Sequence, residues 1–167
     1  INDIIRLSEL DSTEQTPVFE RLNLYQLAET CVEMLSMNAE KHHVTISLQG
    51  MESYINGNRQ MIEELLYNLC DNAIRYNNEN GTVKVIIYQR QKQTILVVKD
   101  TGIGIPQEHQ ERIFERFYRV DKSRSKSTGG TGLGLAIVKH ILVKHNASIE
   151  LQSELGKGTV MTVIFPV

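Results

Sequence analysis

The chain has 167 residues, 41% hydrophobic and 23% charged, with 18 basic side chains against 20 acidic ones and a formal net charge of −2. That length and apolar content are enough for one substantial core, while the charge balance argues against nucleic acid as the main partner. No apolar run approaches the ~18 residues of a membrane helix, and no signal peptide or repeat is visible.

The first residues, INDIIRLSELDST, begin without methionine and set Ile1, Ile4, Ile5, Leu7 and Leu10 in a short amphipathic pattern. Alone, so short a helix is marginal, and it reads as a piece of a longer chain. Thr16, Pro17 and VFERL form the linker and entry strand, with Pro17 breaking any continuing helix. A strand is predicted near residues 19–22, then a helix from 23 to about 41, capped by the Asn23 and Gln26 pair. His42 and His43 end that helix, where a cation is favourable. Strands at 44–48 and 54–56 precede a second helix with Asn58 as N-cap and Ile62, Leu66, Leu69 and Ala73 as its apolar face.

At ~100° per residue, Met61, Glu64, Asn68, Asn72 and Arg75 form a stripe bordering that face. Its polar groups belong at the edge of a cavity. Two asparagine amides one turn apart offer hard neutral oxygens of the kind Mg²⁺ accepts; ordinary solvated asparagines are the competing reading. Cys31 and Cys70 lack metal-ligand spacing and fit helix interiors, which predicts buried free thiols in a reducing compartment.

A hairpin follows, with strands at 83–90 and 94–99, the second a β-branched run ending at Asp100. In DTGIGIP, Gly102 and Gly104 let the backbone turn and approach a ligand, and the Asp100 carboxylate can accept from an exocyclic amine such as adenine N6. A plain Asx turn closing the strand is the alternative. Between Phe117 and Gly130, Arg119, Lys122, Arg124 and Lys126 stand against Asp121 alone among serines and threonines. Such a polar stretch is a functional lid or a solvated loop. In GGTGLGLAI, Gly129, Gly130, Gly132 and Gly134 lead into a helix, presenting backbone amides and a positive dipole end to an anion; a flexible linker is the other reading. Neither a Walker A loop nor a dinucleotide fingerprint fits. Strands at 148–152 and 160–165 are predicted to pair.

These motifs, with RIFERFYRVD at 112–121 and the Gly-x-Gly-Thr of 156–159, resemble the catalytic, ATP-binding domain of bacterial sensor histidine kinases, in the family's order over residues 19–167. The resemblance implies an α+β fold, a two-layer sandwich of the Bergerat type with a mixed sheet of about five main strands and helices on one face. Gyrase B, Hsp90 and MutL share it. Residues 1–17 would be the end of a dimerisation helix plus linker, and 18–167 the kinase domain. By the same resemblance Asn72 coordinates Mg²⁺ with Asn68 beside it, and Arg75 and Tyr76 reach toward the phosphates of ATP. Asp100 binds adenine N6, with a water shared by Thr159, while Gly102, Gly104 and Ile105 shape the adenine pocket. Tyr118 and Arg119 line the nucleotide from the lid side, and Gly130, Gly132, Leu133 and Gly134 hold the triphosphate.

The family phosphorylates a histidine in a block on a separate dimerisation domain. None of His42, His43, His109, His140 and His145 stands in such a block, so surface or capping roles are expected for them. Where hydrolytic members carry a glutamate that activates water, this chain has Asn68, and an amide is no general base. The implied function is γ-phosphoryl transfer to an external histidine, with a cognate response regulator as downstream partner. The fragment is expected as a cytoplasmic monomer of a membrane-anchored, homodimeric parent. An anti-sigma-factor type of protein-serine kinase and a nucleotide-binding interaction module are the alternatives. One departure from the family pattern is Asn146-Ala147 in place of Gly-Gly, where asparagine can take the left-handed conformation.

Overall fold

The computed structural model describes residue 5, residues 17–116, residue 118 and residues 134–166. Its elements are β1 (Glu20–Asn23), α1 (Leu24–Lys41), β2 (Thr45–Gly50), β3 (Tyr54–Gly57), α2 (Arg59–Arg75), β4 (Thr82–Arg90), β5 (Gln93–Asp100), a short 3-10 turn (Gln107–His109), α3 (Gly134–Lys144), β6 (Ser148–Glu154) and β7 (Gly158–Phe165). Five strands form one mixed sheet in the order β2-β4-β5-β7-β6, with β2 and β4 parallel and the other pairs antiparallel. β1 and β3 form a separate antiparallel ribbon. The three helices pack on one face of the sheet, giving the expected two-layer α+β sandwich.

Register explains the core. Val85 pairs with Val98 and Val98 with Met161, while Ile87 pairs with Leu96 and Leu96 with Val163. These two rows are buried and face the helices, because every second side chain of a strand lies on the same face. From α2, Ile62, Leu66, Leu69 and Ala73 meet them, all buried as the periodicity predicted. Each fully buried leucine contributes ~1.5–3 kcal/mol. Cys31 and Cys70 are buried unbridged thiols in α1 and α2.

The Asn58 cap forms as predicted, and of the predicted Asn23–Gln26 capping box the Asn23 half forms, with no bond from the Gln26 side chain to Asn23 N. Asn58 Oδ1 accepts from Met61 N at 3.0 Å, and Asn23 Oδ1 accepts from Gln26 N at a longer 3.4 Å. His42 caps α1, its Nδ1 lying 2.9 Å from Asn38 O. His145 also caps its helix, bonding Ile141 O through Nδ1 at 2.8 Å, but it does so from inside and is only 5% exposed. Its Nε2 accepts from Asn58 N at 3.1 Å, tying the end of α3 to the start of α2. Asn146 has φ 52, the left-handed conformation expected of it. No described helix is long and apolar enough to cross a membrane.

Candidate nucleotide-binding site

Alternation along β5 decides where Asp100 goes. Leu96 and Val98 are buried against the helices, so the next residue of that face is Asp100, at the strand's last position between Val83 and Thr159. The core face therefore ends in a carboxylate. Its Oδ1 accepts from the backbone N–H of Gly102 at 2.9 Å and of Thr159 at 3.2 Å. Burial raises its pKa, and the two backbone bonds act in the opposite direction. The Asx turn and an available carboxylate are thus compatible: one oxygen closes the turn and the other has no hydrogen-bond partner among the described residues.

The glycines around it are required by close approach. A Cβ on Gly102 would strike Tyr76 O and lie 3.0 Å from Asp100 Oδ1, and one on Gly104, which has φ +73, would strike Glu154 O. Ile103 N donates to Tyr76 O at 3.1 Å, and Gly156 N donates to Ile103 O at 2.7 Å. The 101–105 segment is thereby threaded between the end of α2 and the β6–β7 turn. Ile105 N donates to Ser153 Oγ at 2.8 Å, and Ser153 Oγ lies 2.8 Å from Thr159 Oγ1. Thr159 accordingly meets Asp100 through its backbone N–H, while its hydroxyl turns to Ser153.

Three residues of this framework escaped the sequence reading. Ser153 joins Ile105 to Thr159; Gln110 Nε2 donates to Ile105 O at 2.9 Å and Ser153 O at 3.2 Å. Asn77 Nδ2 donates to Thr82 O at 3.0 Å, and its Oδ1 accepts from Asn78 N at 2.8 Å. Only Asn77 had a local signal, the Asn-Asn pair of a turn; the others depend on contacts distant in sequence.

On α2, Asn68 Nδ2 donates to Glu64 O at 2.9 Å, which leaves the amide oxygen toward α3. A Cβ on Gly134 would lie 3.1 Å from that oxygen, so α3 approaches Asn68 closely at this glycine. Asn72, one turn on, is half-buried on the same stripe. Arg75 Nε lies 2.8 Å from Asp71 Oδ2, and Asp71 Oδ1 accepts from Asn38 Nδ2 at 3.5 Å. Tyr76 is the C-cap of α2 and supplies the carbonyl that holds Ile103.

The structure therefore brings together Tyr76, Asp100, Gly102, Gly104, Ile105 and Thr159 at the sheet end, and Asn68 with Gly134 at the helix pair. Tyr118 is hydrogen-bonded to His109 Nδ1 and lies under the Arg112 guanidinium at 4.5 Å; no contact among the described residues joins it to Asp100. Arg119, Gly130, Gly132 and Leu133 lie outside the described residues, as do Lys122, Arg124 and Lys126. The donor set fits the expected ligand: hard amide oxygens for a hard cation, a carboxylate for an amine, and a glycine-bearing helix start for phosphate.

Comparison with known proteins places the chain in a family. The pattern of histidine kinase-, DNA gyrase B- and HSP90-like ATPases matches residues 57–167. Sensor histidine kinase RppB of Synechocystis is 40% identical over 169 residues, covering 100% of this chain and 37% of the relative. Sensor histidine kinase WalK of Bacillus subtilis is 36% identical over 99% of this chain and 28% of its own length. The chain thus spans well under half of these curated relatives. Among solved structures, the mycobacterial sensor histidine kinase MprB superposes with a TM-score of 0.78 at 25% identity, over 89% of this chain and 97% of that one. The chain belongs to the histidine kinase-, DNA gyrase B- and HSP90-like ATPase family, as the ATP-binding catalytic domain of a sensor histidine kinase.

Proposed function

We propose that this domain binds ATP with Mg²⁺ and donates the γ-phosphoryl group to a histidine on a dimerisation domain of the same parent protein, from which a response regulator receives it. The observation that carries the reading is the Asp100 carboxylate, with one oxygen fixed by Gly102 and Thr159 and set at the end of the core face. Asp100 would select the adenine amine, and Asn68 and Asn72 would hold the cation. The start of α3 at Gly134 would meet the phosphates with backbone amides. When bound, Mg²⁺ supplies neutralisation of phosphate charge. Asn68 keeps its nitrogen bonded to Glu64 O and offers no group able to take a proton from water. This favours transfer over hydrolysis, and catalysis rests on placing the donor in line with the acceptor. Residues 1–17 are assigned to the end of the dimerisation helix and its linker, and the parent to a membrane-anchored homodimer.

The test is transfer in trans: the chain is mixed with the histidine-bearing dimerisation domain of its parent and γ-labelled ATP. Acid-labile, base-stable label on the added domain is expected. Acid-stable label, or ATP bound without transfer, would contradict the assignment.

A further inference from the structure

A second concavity lies at the other end of the sheet. Asp100 pairs with Thr159 at one end of β5 and Thr94 with Phe165 at the other; at ~3.4 Å per residue these ends are about 20 Å apart. A cavity of about 430 Å³ opens at the far end, walled by Phe19, Tyr54 and Phe165 and carrying Arg21, Lys92 and Lys144. The Arg21 guanidinium lies 4.0 Å from the centroid of the Tyr54 ring. No aspartate or glutamate lines the hollow, and none of the three cations is ion-paired among the described residues. In a chain of net charge −2, that is a local concentration of positive charge with no carboxylate partner among the described residues.

The walls are preformed. His145 is held by Asn58 N and Ile141 O and stacks on Phe19 with ring centroids 4.7 Å apart. A Cβ on Gly57 would come within 3.0 Å of its ring. Its Nε2 accepts a hydrogen bond, so this histidine is neutral and the charge comes from the three cations alone. Lys92 has φ 68 in a two-residue hairpin turn of the kind glycine or asparagine normally fills. A lysine thus occupies a strained position on the rim.

We propose that this hollow binds an acidic segment of a partner protein, its carboxylates meeting Arg21, Lys92 and Lys144 while an apolar side chain enters between Phe19 and Phe165. The cations stand on three separate elements, β1, the β4–β5 turn and the last turn of α3. Several carboxylates carried on one peptide match that spread better than a single small anion. The negative end of the α3 dipole is offset by Lys144, leaving Arg21 and Lys92 as the net attraction. A concave hollow does not fit a membrane plane, and an acidic chain offers no extended track for nucleic acid.

The test uses the whole 167-residue chain and a fluorescein-labelled short peptide alternating glutamate with leucine, followed by anisotropy. Saturable binding is expected, weakened at least ~10-fold by the Arg21→Glu, Lys92→Glu pair and by exchanging glutamate for glutamine in the peptide. Lys92→Glu alone, outside the sheet pairing, should give an intermediate loss, and a urea midpoint establishes that each variant is folded. Affinity for a non-hydrolysable ATP analogue should stay unchanged, and amide shifts should appear at Lys92 and Asn146 and not at Gly102 or Gly104. Absence of saturable binding, indifference to charge reversal in folded variants, shifts at the Asp100 end, or equally tight binding of a single-stranded oligonucleotide would each overturn the proposal.

Discussion

At Asp100, burial outweighs two backbone N–H bonds and lifts the carboxyl pKa above 3.8. A carboxyl whose pKa is higher folded than unfolded binds its proton more tightly in the native state, so its ionisation weakens folding. That loss accrues as pH rises from 3.8 through the raised value and persists at neutral pH. Asp100→Asn retains an oxygen for Gly102 and Thr159 without the charge. Its urea midpoint at neutral pH should therefore equal or exceed the wild type's, with any advantage shrinking toward pH ~4, even as adenine-nucleotide affinity falls. His145 has the opposite sign. Burial lowers its pKa below 6.5, so the stability of the neutral ring is complete above 6.5 and is lost as pH falls through the lowered folded value. Wild-type stability should decline on acidification below 6.5, whereas His145→Asn should start about 1–3 kcal/mol less stable, with the Asn58 N–H partner lost, and change little over that window. A pH series of urea titrations on the two chains reads both effects.

Among the elements, the helices were the most legible. α1 and α2 carry local caps at Asn23 and Asn58 and an apolar stripe with the helical period, and α1 stops at Lys41, where predicted. Asn58→Ala should cost ~0.5–2 kcal/mol, and it also removes the bond from Asn58 Nδ2 to Val18 O at 3.0 Å; thermal unfolding measures it. Strand ends were less legible. β6 extends to Glu154 and β7 begins at Gly158, both beyond the β-branched runs, because pairing of Glu154 with Gly158 and Ser153 with Thr159 carries them on. Those extra residues are the ones that reach the site. The Asp100, Asn68 and glycine contributions were visible as short motifs, whereas Ser153 and Gln110 become meaningful only once β6 lies beside the 101–105 segment. Gly104→Ala should destabilise the chain by ~1–2 kcal/mol or more, since it adds a left-handed backbone penalty to a collision with Glu154 O. Matched loss of ATP-analogue binding would show that the same crowding deforms the pocket.

Over the whole molecule, one sheet supports two chemically distinct ends. The helix-facing rows of β4, β5 and β7 end on one side in Asp100 and Thr159, next to the close of α2 at Tyr76. On the other side lies the cationic hollow with Phe165 in its wall. One continuous core lies between them, and the family's resemblance speaks only to the first end. Calorimetric titration with a non-hydrolysable ATP analogue, with and without Mg²⁺, on the wild type, Asp100→Asn and Asn72→Ala tests the central claim most directly. Asp100→Asn should lose at least ~10-fold in affinity under both conditions, since a carboxylate acceptor is replaced by an amide. Asn72→Ala should bind normally without the cation and lose only the Mg²⁺-dependent increment. Equal affinity of all three folded proteins, or no binding by the wild type, would contradict the account.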